Sequence, residues 1–256
     1  MQLTFLGTGT SMGVPVIGCH CDVCMSTDPR NKRLRTSALL QVGDLNLLID
    51  AGPDLRQQAL AAGINRVDAV LLTHAHADHI AGLDDLRPLN FVQQSSIPIY
   101  GTARTLSFVR ERFGYAFQNT SVGSSRPLLE LVEIEETQPF TIHGLRIQPL
   151  QVYHGTWMIT GYRIGGLGYV TDASALPADS IAALHDLDVL VLNALRHAPH
   201  PTHLSLEQAL RVIADLQPRC ALLVHMTHDL EHAATNTTLP SHVRLAYDGQ
   251  RVEVKD

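Results

Sequence analysis

The most chemically distinctive stretch of the sequence is the run Thr73-His74-Ala75-His76-Ala77-Asp78-His79. His74 and His76 lie two apart, so in an extended segment their side chains point the same way. Asp78 and His79 fall where a helix would begin. Imidazole and carboxylate groups suit zinc, manganese or iron. Four such ligands within six residues cannot surround one ion comfortably, so the run predicts a pair of adjacent ions.

Further imidazole and carboxylate groups follow apolar runs that are typical of buried strands. His154, Asp172 and His225 each stand where such a run ends, which is the usual location of sites in layered α/β proteins. Each alone would be unremarkable, as a cap or a surface residue. Together with the 74–79 run they are better explained by one shared metal centre. Asp50 follows another such run, and we expect it to orient a ligand imidazole by accepting its second N–H.

A second cluster is a cysteine-rich loop, residues 18–28, in which Cys19, Cys21 and Cys24 lie within six residues. The other cysteine, Cys220, has an apolar context beside a predicted strand, so disulfide pairing is not expected. Three thiolates and one imidazole make a closed tetrahedral zinc site, which is structural rather than catalytic. The alternative is a set of reduced thiols without metal.

The fourth ligand of this zinc site has three candidates, namely His20, His228 and His232. His20 stands between two cysteines, where the chain can hardly present all three side chains to one ion. We favour His228, which lies three residues after His225. Thiolate ligation implies a reducing compartment, and we therefore expect the protein in the cytoplasm.

Composition excludes several classes of protein. Of the 256 residues, 45% are hydrophobic and 17% are charged, values that rule out disordered, collagen-like, coiled-coil and disulfide-scaffold chains. No apolar run approaches the ~20 residues that span a bilayer, and the first residues lack the basic start of a signal peptide, so no membrane association is expected. The net charge of −6 argues against a general nucleic-acid-coating role.

Strand-like and helix-like runs alternate along the chain, which predicts a layered α/β domain. The predicted strands are 3–6, 36–42, 45–49, 67–72, 145–152, 158–164, 167–170, 189–192 and 221–224. The predicted helices are 53–62, 104–112, 177–184 and 204–216. We find no clear linker and no internal repeat, so we treat 1–256 as a single domain.

These motifs, in this order, resemble the metallo-β-lactamase superfamily. The resemblance covers Asp50, the 74–79 run, His154, Asp172 and His225. It implies a four-layer αββα sandwich with a binuclear metal centre at one edge. It also implies ligand roles: His74, His76 and His154 for one ion, Asp78, His79 and His225 for the other, and Asp172 bridging both.

The cysteine loop narrows the resemblance to one subgroup. A Gly7-x-Gly9 opening, the segment Gly13-Val14-Pro15 and Gly18 precede the first cysteine. This arrangement is similar to the phosphodiesterases of the carbon–phosphorus lyase pathway, which hydrolyse a phosphoribosyl cyclic phosphate. In that subgroup three cysteines and a histidine hold a structural zinc, which implies the same role for Cys19, Cys21, Cys24 and His228.

The expected reaction is hydrolysis of a phosphodiester. Two divalent ions, zinc or manganese, would lower the pKa of a bridging water enough to supply hydroxide near neutral pH. Asp78 and Asp172 would contribute carboxylate ligands, and Asp78 would thereby take part in catalysis.

The leaving alkoxide needs a proton. His203 precedes the 204–216 helix, is not needed as a ligand, and resembles an acid histidine of the superfamily's phosphodiesterases. The alternative is a helix-start residue without chemistry.

The sequence allows three alternative functions. The first is another hydrolase of this fold, such as a lactonase, thioesterase or β-lactamase, although Asp78 and His203 favour phosphorus. The second is transfer-RNA 3′ processing, but residues 85–150 contain no concentrated basic block, so stable nucleic-acid binding is not expected. The third is a zinc-stabilised binding module without catalysis, against which the complete set of ligand positions argues.

The basic and aromatic segment 102–131 does not align with the subgroup. It predicts either an amphipathic helix with its aromatic residues packed inward, or a lid or substrate-contacting segment, including one supplied across a homodimer. Because this segment does not match the subgroup, the identity of the substrate is not determined. The sequence therefore predicts a small or cyclic phosphodiester and no single compound.

Overall fold

Two seven-stranded mixed sheets organise the computed structural model, which describes residues 1–118 and 125–255. The strands are β1 (Gln2–Gly7), β2 (Ser37–Val42), β3 (Leu45–Ile49), β4 (Ala69–Leu71), β5 (Ile97–Gly101), β6 (Leu129–Glu133), β7 (Phe140–Ile142), β8 (Leu145–His154), β9 (Trp157–Ile164), β10 (Leu167–Val170), β11 (Val189–Asn193), β12 (Cys220–Val224), β13 (Val243–Leu245) and β14 (Arg251–Glu253). The helices are α1 (Asp22–Met25), α2 (Leu55–Ala62), α3 (Ala77–Ile80), α4 (Arg87–Gln93), α5 (Ala103–Arg112), α6 (Gly114–Phe117), α7 (Ala178–Ala183), α8 (Leu206–Leu216) and α9 (His232–Thr238). Of these described helices, not one combines the length and apolarity that a membrane span requires.

The sheets lie face to face between two layers of helices. The strand order is β14-β1-β2-β3-β4-β5-β6 in the first sheet and β13-β12-β11-β10-β9-β8-β7 in the second. Alternate strand residues such as Phe5, Tyr162 and Tyr169 fill an inner core between the sheets. The opposite face of each sheet packs on helices, with Ile80 in one outer core and Ile213 in the other. The predicted αββα sandwich is therefore confirmed.

One edge of the sandwich collects the carboxyl ends of the strands that carry the candidate ligands. β3 runs parallel to β4, and β10, β11 and β12 run parallel to one another. β8 and β10 both run antiparallel to β9, so β8 ends at the same side as β10. Residues that follow these strands are brought to the same edge although they lie far apart in sequence.

The sequence left several observed elements unpredicted, among them the helices α4 and α9. Five described strands were not predicted: β5, β6, β7, β13 and β14. The predicted strand 67–72 shrinks to β4, since the chain then turns toward the site. The polar stretch 119–127, which contains glycine and serines, also predicts a loop, and most of it lies outside the described residues. α8 begins one residue after Ser205, whose side chain closes a capping box with Gln208.

Candidate metal centre

Three of the predicted site residues adopt a backbone conformation that is unusual for residues other than glycine. Asp50, Asp172 and His225 have φ values of 59°, 62° and 57°. Asp50 and His225 directly follow a strand, and Asp172 stands two residues after the end of β10. This left-handed conformation costs about 1 kcal/mol or more and tends to occur at functional sites. It turns the side chain of each residue inward at the strand end. The sequence gives no sign of this strain.

His74, His76 and His154 form the first group of ligand atoms. One ring nitrogen from each of the three lies within 4.8 Å of those of the others. The Nε2 of His74 is 3.0 Å from the Nδ1 of His76. The Nδ1 of His154 is 2.8 Å from the carbonyl oxygens of Asp172 and Thr202. Because a carbonyl can only accept, this Nδ1 carries the proton, and Nε2 is left to face the centre.

Asp78, His79, Asp172 and His225 form the second group, and all four are buried. The Nε2 of His79 lies 3.3 Å from a carboxylate oxygen of Asp78 and 3.4 Å from one of Asp172. The Nδ1 of His225 lies 3.2 Å from the other oxygen of Asp172. Both of these ring nitrogens are buried and make no hydrogen bond of acceptable geometry. The side chains point at a common space instead of bonding one another.

Asp172 contacts members of both groups. Besides its contacts with His79 and His225, its Oδ2 lies 3.8 Å from the Nε2 of His74. The carboxylate therefore stands between the two groups of ligand atoms. This is the position that a ligand shared by two ions would need.

Asp50 stands behind the second group. Its Oδ2 is 2.7 Å from the Nδ1 of His79, and it also accepts hydrogen bonds of 2.8 Å from the backbone N–H and the hydroxyl of Thr73. Since Thr73 donates its hydroxyl proton to Asp50, it can only accept from the Nδ1 of His74, which lies 3.0 Å away. Thr73, which sequence reasoning missed, thus fixes His74 with its Nε2 toward the centre.

The protonation states of the side chains in this cluster are those that cation binding requires. Burial lowers the pKa of His74 well below its usual value and that of His225 to about 4, so both imidazoles are neutral at pH 7. Although burial opposes it, the nearby imidazoles hold the pKa of Asp78 and of Asp172 well below the usual range. Neutral imidazoles and ionised carboxylates are the forms that bind metal.

His79 is the exception. Burial lowers its pKa, but Asp172, Asp78 and Asp50 together raise it well above the usual value. A cation placed among these carboxylates would compete with the ring proton, as metal ions do at histidine ligands. The donor set, the two unpaired buried nitrogens and the neutral imidazoles therefore fit a pair of divalent cations.

His203 lies at the open side of this cluster. Its Nε2 is 3.3 Å from the Oδ2 of Asp172, and its ring stacks on that of His225 with a centroid separation of 5.0 Å. The hydroxyl of Thr202 lies 2.9 Å from the Nδ1 of His203, and the carbonyl of Thr202 accepts from His154. Thr202 thus contacts both histidines, a role that no sequence pattern indicated. His203 also belongs to a third group of possible ligands with His154 and Asp172.

The three clustered cysteines lie around a single imidazole. The Sγ atoms of Cys19, Cys21 and Cys24 are 3.3, 3.5 and 3.2 Å from the Nδ1 of His228. The four ligand atoms lie within 4.8 Å of one another. Of the fourth-ligand candidates, the structure brings His228 to the cysteines. All four cysteines are free thiols.

Arg33 fastens the loop that carries both His225 and His228. Arg33 is 1% exposed, and its guanidinium donates to the carbonyls of Thr227 at 2.8 Å and Leu230 at 2.6 Å. A buried arginine is costly unless its donors are paired, and these two carbonyls pair its terminal nitrogens, whereas its Nε has no partner among the described residues. Sequence reasoning missed Arg33 because it is one of several basic residues between positions 30 and 35, and nothing in the sequence sets it apart from the others.

The basic and aromatic segment packs its aromatic residues inward, as the predicted amphipathic helix requires. Phe113 is buried, and Phe108 and Phe117 pack against the outer core. Arg104 and Phe108 also contact Trp157 beside the metal centre. The lid or substrate-contacting role stays a prediction. Residues 119–124 of this segment lie outside the described part of the chain.

Comparison with family models places most of the chain in one superfamily. Residues 45–226 match the model described as "Beta-lactamase superfamily domain". The match begins at β3 and ends just after His225, so it contains all the candidate ligands of the metal centre. It does not include the cysteine loop.

Individual relatives agree with this result. The crystal structure of "a New Diphosphatase from the PhnP Family" has a TM-score of 0.92 and 41% identity, over 98% of this chain and 96% of that one. An "Octanoyltransferase" of Porphyromonas gingivalis is 40% identical over 97% of this chain and 51% of its own length. A "Ribonuclease Z" of Mycobacterium sp. (strain KMS) is 28% identical over 76% of this chain and 66% of its own. The chain thus spans about half the length of the first of these curated relatives.

Proposed function

The chain belongs to the beta-lactamase superfamily and is a metal-dependent hydrolase, and from this premise we propose that it is a binuclear phosphodiesterase. The proposed substrate is a small or cyclic phosphodiester. The observation that carries the proposal is the position of Asp172, whose carboxylate contacts His74, His79, His225 and His203 within 3.8 Å. It joins two groups of ligand atoms and a further imidazole at one open edge.

We assign the ligands as two groups that share one carboxylate. His74, His76 and His154 would hold one cation, and Asp78, His79 and His225 would hold the other, with Asp172 between them. Zinc and manganese both suit this mixture of imidazole and carboxylate. When bound, two such cations supply Lewis-acid activation of water and neutralise charge on a phosphoryl group.

Residues of the chain supply the remaining functions. Asp50 and Thr73 hold His79 and His74 in the orientation that exposes their Nε2 atoms. His203 is proposed to donate a proton from Nε2 to the leaving oxygen of the diester, since that atom faces the centre while Nδ1 lies against the hydroxyl of Thr202. The chain is acidic, with a net charge of −6, so the attraction of an anionic diester must come from this local site.

The cysteine cluster is proposed to hold a structural zinc through Cys19, Cys21, Cys24 and His228. Four protein ligands leave no position for substrate, so this ion would stabilise the loop and not act in catalysis. Free thiols of this kind persist in a reducing compartment, which supports the cytoplasm as the site of action.

Hydrolysis of bis(p-nitrophenyl) phosphate by the purified chain, with zinc or manganese restored after chelation, tests the proposal. We expect activity that disappears with chelator and returns with metal, together with two metal equivalents beyond the one held by the cysteines. A phosphoribosyl cyclic phosphate is the natural second substrate to assay, given the subgroup that the sequence resembles. A fully metallated protein that cleaves neither diester would overturn the proposal.

A second candidate, hydrolysis of an acyl ester or thioester, has one observation in its favour. The Porphyromonas relative carries a name that denotes acyl transfer, although half of that longer protein lies outside the match. An octanoyl thioester offered beside the phosphodiester under the same conditions separates the two. We expect the diester to be cleaved with the greater kcat/KM, and the reverse order would favour the acyl substrate.

A further inference from the structure

The loop that carries His203 holds a second imidazole directly beside it. The ring centroids of His200 and His203 are 5.2 Å apart, and their Nδ1 atoms are 3.3 Å apart. His200 is half-buried, whereas His197 in the same loop is exposed. Within the described ranges, His200 belongs to none of the groups of possible metal ligands. Metal binding therefore does not account for its position.

The hydroxyl of Thr202 lies between the two imidazoles. It is 3.2 Å from the Nδ1 of His200 and 2.9 Å from that of His203. The methyl group of Thr202 packs against Gly155, where an added Cβ would stand only 2.8 Å from the methyl carbon. This close contact holds the methyl on one side of Thr202 and leaves the hydroxyl facing the histidines.

One backbone N–H determines the direction of the hydrogen bonds in this cluster. The N–H of Thr202 donates to the Nδ1 of His200 at 3.3 Å, so that nitrogen carries no proton of its own. A hydroxyl beside a bare nitrogen donates to it, and the Thr202 hydroxyl has only one proton to give. Its oxygen is then left to accept from the Nδ1 of His203. The hydrogen bonds therefore run from His203 through Thr202 to His200.

We propose that His200 is a positioning residue for the proton transfer assigned to His203. By accepting from the Thr202 hydroxyl, it makes His203 keep a proton on Nδ1 and present Nε2 to the substrate. This inference rests on the proposed function, because it concerns the acid of that reaction.

The proton transfer itself involves His203 and the leaving oxygen. As water or hydroxide bonds to phosphorus, the bond from phosphorus to the leaving oxygen breaks and its electron pair stays on that oxygen. The oxygen takes the proton from the Nε2 of His203, while the proton on Nδ1 remains hydrogen-bonded to Thr202. His200 gives up and receives no proton, so it acts only through its two neighbours.

The leaving group of the substrate distinguishes this role from a merely structural one. An alkoxide needs a proton as it leaves, whereas p-nitrophenolate leaves without one. We therefore compare ethylene phosphate, a cyclic diester with an alkoxide leaving group, with bis(p-nitrophenyl) phosphate. A residue that orients the acid affects the first substrate and not the second.

His200→Ala should lower kcat for ethylene phosphate by about fivefold or more, the effect of losing one hydrogen bond. Its KM for that substrate, its kcat for bis(p-nitrophenyl) phosphate and its metal content should equal those of the wild type. His200→Asn should recover most of the loss, since its Oδ1 can accept from the same hydroxyl. His197→Ala, which alters the exposed histidine of the loop, is the matched control and should behave as the wild type.

A double variant tests whether the effect passes through Thr202. Thr202→Val removes the hydroxyl but keeps the shape of the side chain and the backbone groups. We expect it to lower kcat for ethylene phosphate at least as much as His200→Ala does. The double variant should be no slower than Thr202→Val alone, because both changes interrupt the same chain of hydrogen bonds.

Three results would overturn the positioning role of His200. They are an unchanged kcat for ethylene phosphate in His200→Ala, an equal loss on both diesters, and losses that multiply in the double variant. Failure of the proposed function looks different, since the metal-loaded wild type would then cleave neither diester, and the role of His200 would fall with it.

Discussion

Individual residues at the site differ in whether they hold a cation or act on the substrate. Asp50, Thr73 and Thr202 contact candidate ligands from behind, and each leaves one ring nitrogen directed to the centre. On its Nε2 side, among the described residues, His203 contacts Asp172. It is also more exposed than the histidines of the second group. For this reason we propose His203 as the residue that acts on the substrate.

Replacing His203 with alanine should slow diester cleavage by ~10² or more while both cations stay bound, because general acid catalysis contributes about that factor. The loss should be greater for an alkyl diester than for a p-nitrophenyl diester, since nitrophenolate leaves without a proton. Steady-state kinetics on both substrates, with metal content measured for each sample, tests this expectation. His197→Ala, an exposed histidine of the same loop, is the control, and an unchanged rate with the alkyl diester would remove His203 from the mechanism.

Among the elements, the loops beyond the strands define the two proposed metal sites. The loop after β12 carries His225 and His228 only three residues apart, and Arg33 fastens it from the opposite side. The cysteine loop packs Val14, Val23 and Cys24 into a small apolar cluster of its own. Because this core is separate, we expect the proposed cation of the cysteine loop to be lost independently of those of the metal centre.

Cys21→Ala should therefore lose one metal equivalent and keep the binuclear centre largely intact. Cys21 is the exposed member of its cluster, so the substitution removes a ligand without leaving a cavity in a core. Native mass spectrometry would count the ions in the wild type and the variant. Cys220→Ala, which alters a thiol outside the cluster, should retain the full complement, and a full complement in Cys21→Ala would contradict the structural zinc site.

The junction between β1 and the C-terminal strands contains a buried carboxylate with an altered pKa. Burial raises the pKa of Asp248 to about 6, although its oxygens accept from the Thr8 hydroxyl and the Leu34 N–H, each at 2.7 Å. An unfolded aspartate has a pKa of about 4. Between these two values the folded state binds a proton that the unfolded state does not, so the free energy of unfolding falls as the pH rises.

This shift predicts a pH-dependent difference between the wild type and Asp248→Asn. A shift of two pKa units corresponds to about 3 kcal/mol. Relative to the variant, wild type should lose up to this amount of unfolding free energy between about pH 4 and pH 6. Urea denaturation of both proteins across that range gives the difference and cancels titrations that they share. Parallel stability curves for the two proteins would show that Asp248 does not titrate in this window.

Prediction from sequence succeeded best where local pattern and burial agree. Continuous apolar runs such as 189–192 and 221–224 became central parallel strands, because only a strand buried on both faces needs such a run. Edge strand β7 was missed because its three residues are too few to show an alternating pattern, although it pairs with the neighbouring β8. Edge strands β13 and β14 also have three residues each, and they pair with β12 beyond α9 and with β1 at the other end of the chain. Local composition cannot show such pairing.

At the scale of the whole molecule, both sheets contribute residues to the candidate metal centre. The 74–79 run follows β4 of the first sheet, whereas His154 ends β8, and Asp172 and His225 follow β10 and β12, of the second. Sequence spacing and the positions at strand ends indicated the chemistry of these residues and a shared centre, and the resemblance implied which of them would hold each ion. Neither could supply the left-handed conformations of Asp50, Asp172 and His225 or the contacts of Thr202, because these depend on how the two sheets pack.

Because the ligands come from both sheets, bound cations should hold the sandwich together at this edge. A ligand that binds only the folded state at 1,000 times its dissociation constant stabilises it by about 4 kcal/mol. For a chain of this length each kcal/mol raises Tm by about 2–4 °C. We therefore expect zinc or manganese to raise Tm by about 10 °C over chelated protein, as measured by differential scanning calorimetry at fixed pH. Cys21→Ala should keep most of this increase, and Asp172→Asn should lose most of it. An equal increase in Asp172→Asn would mean that the stabilising ion lies elsewhere than between the sheets.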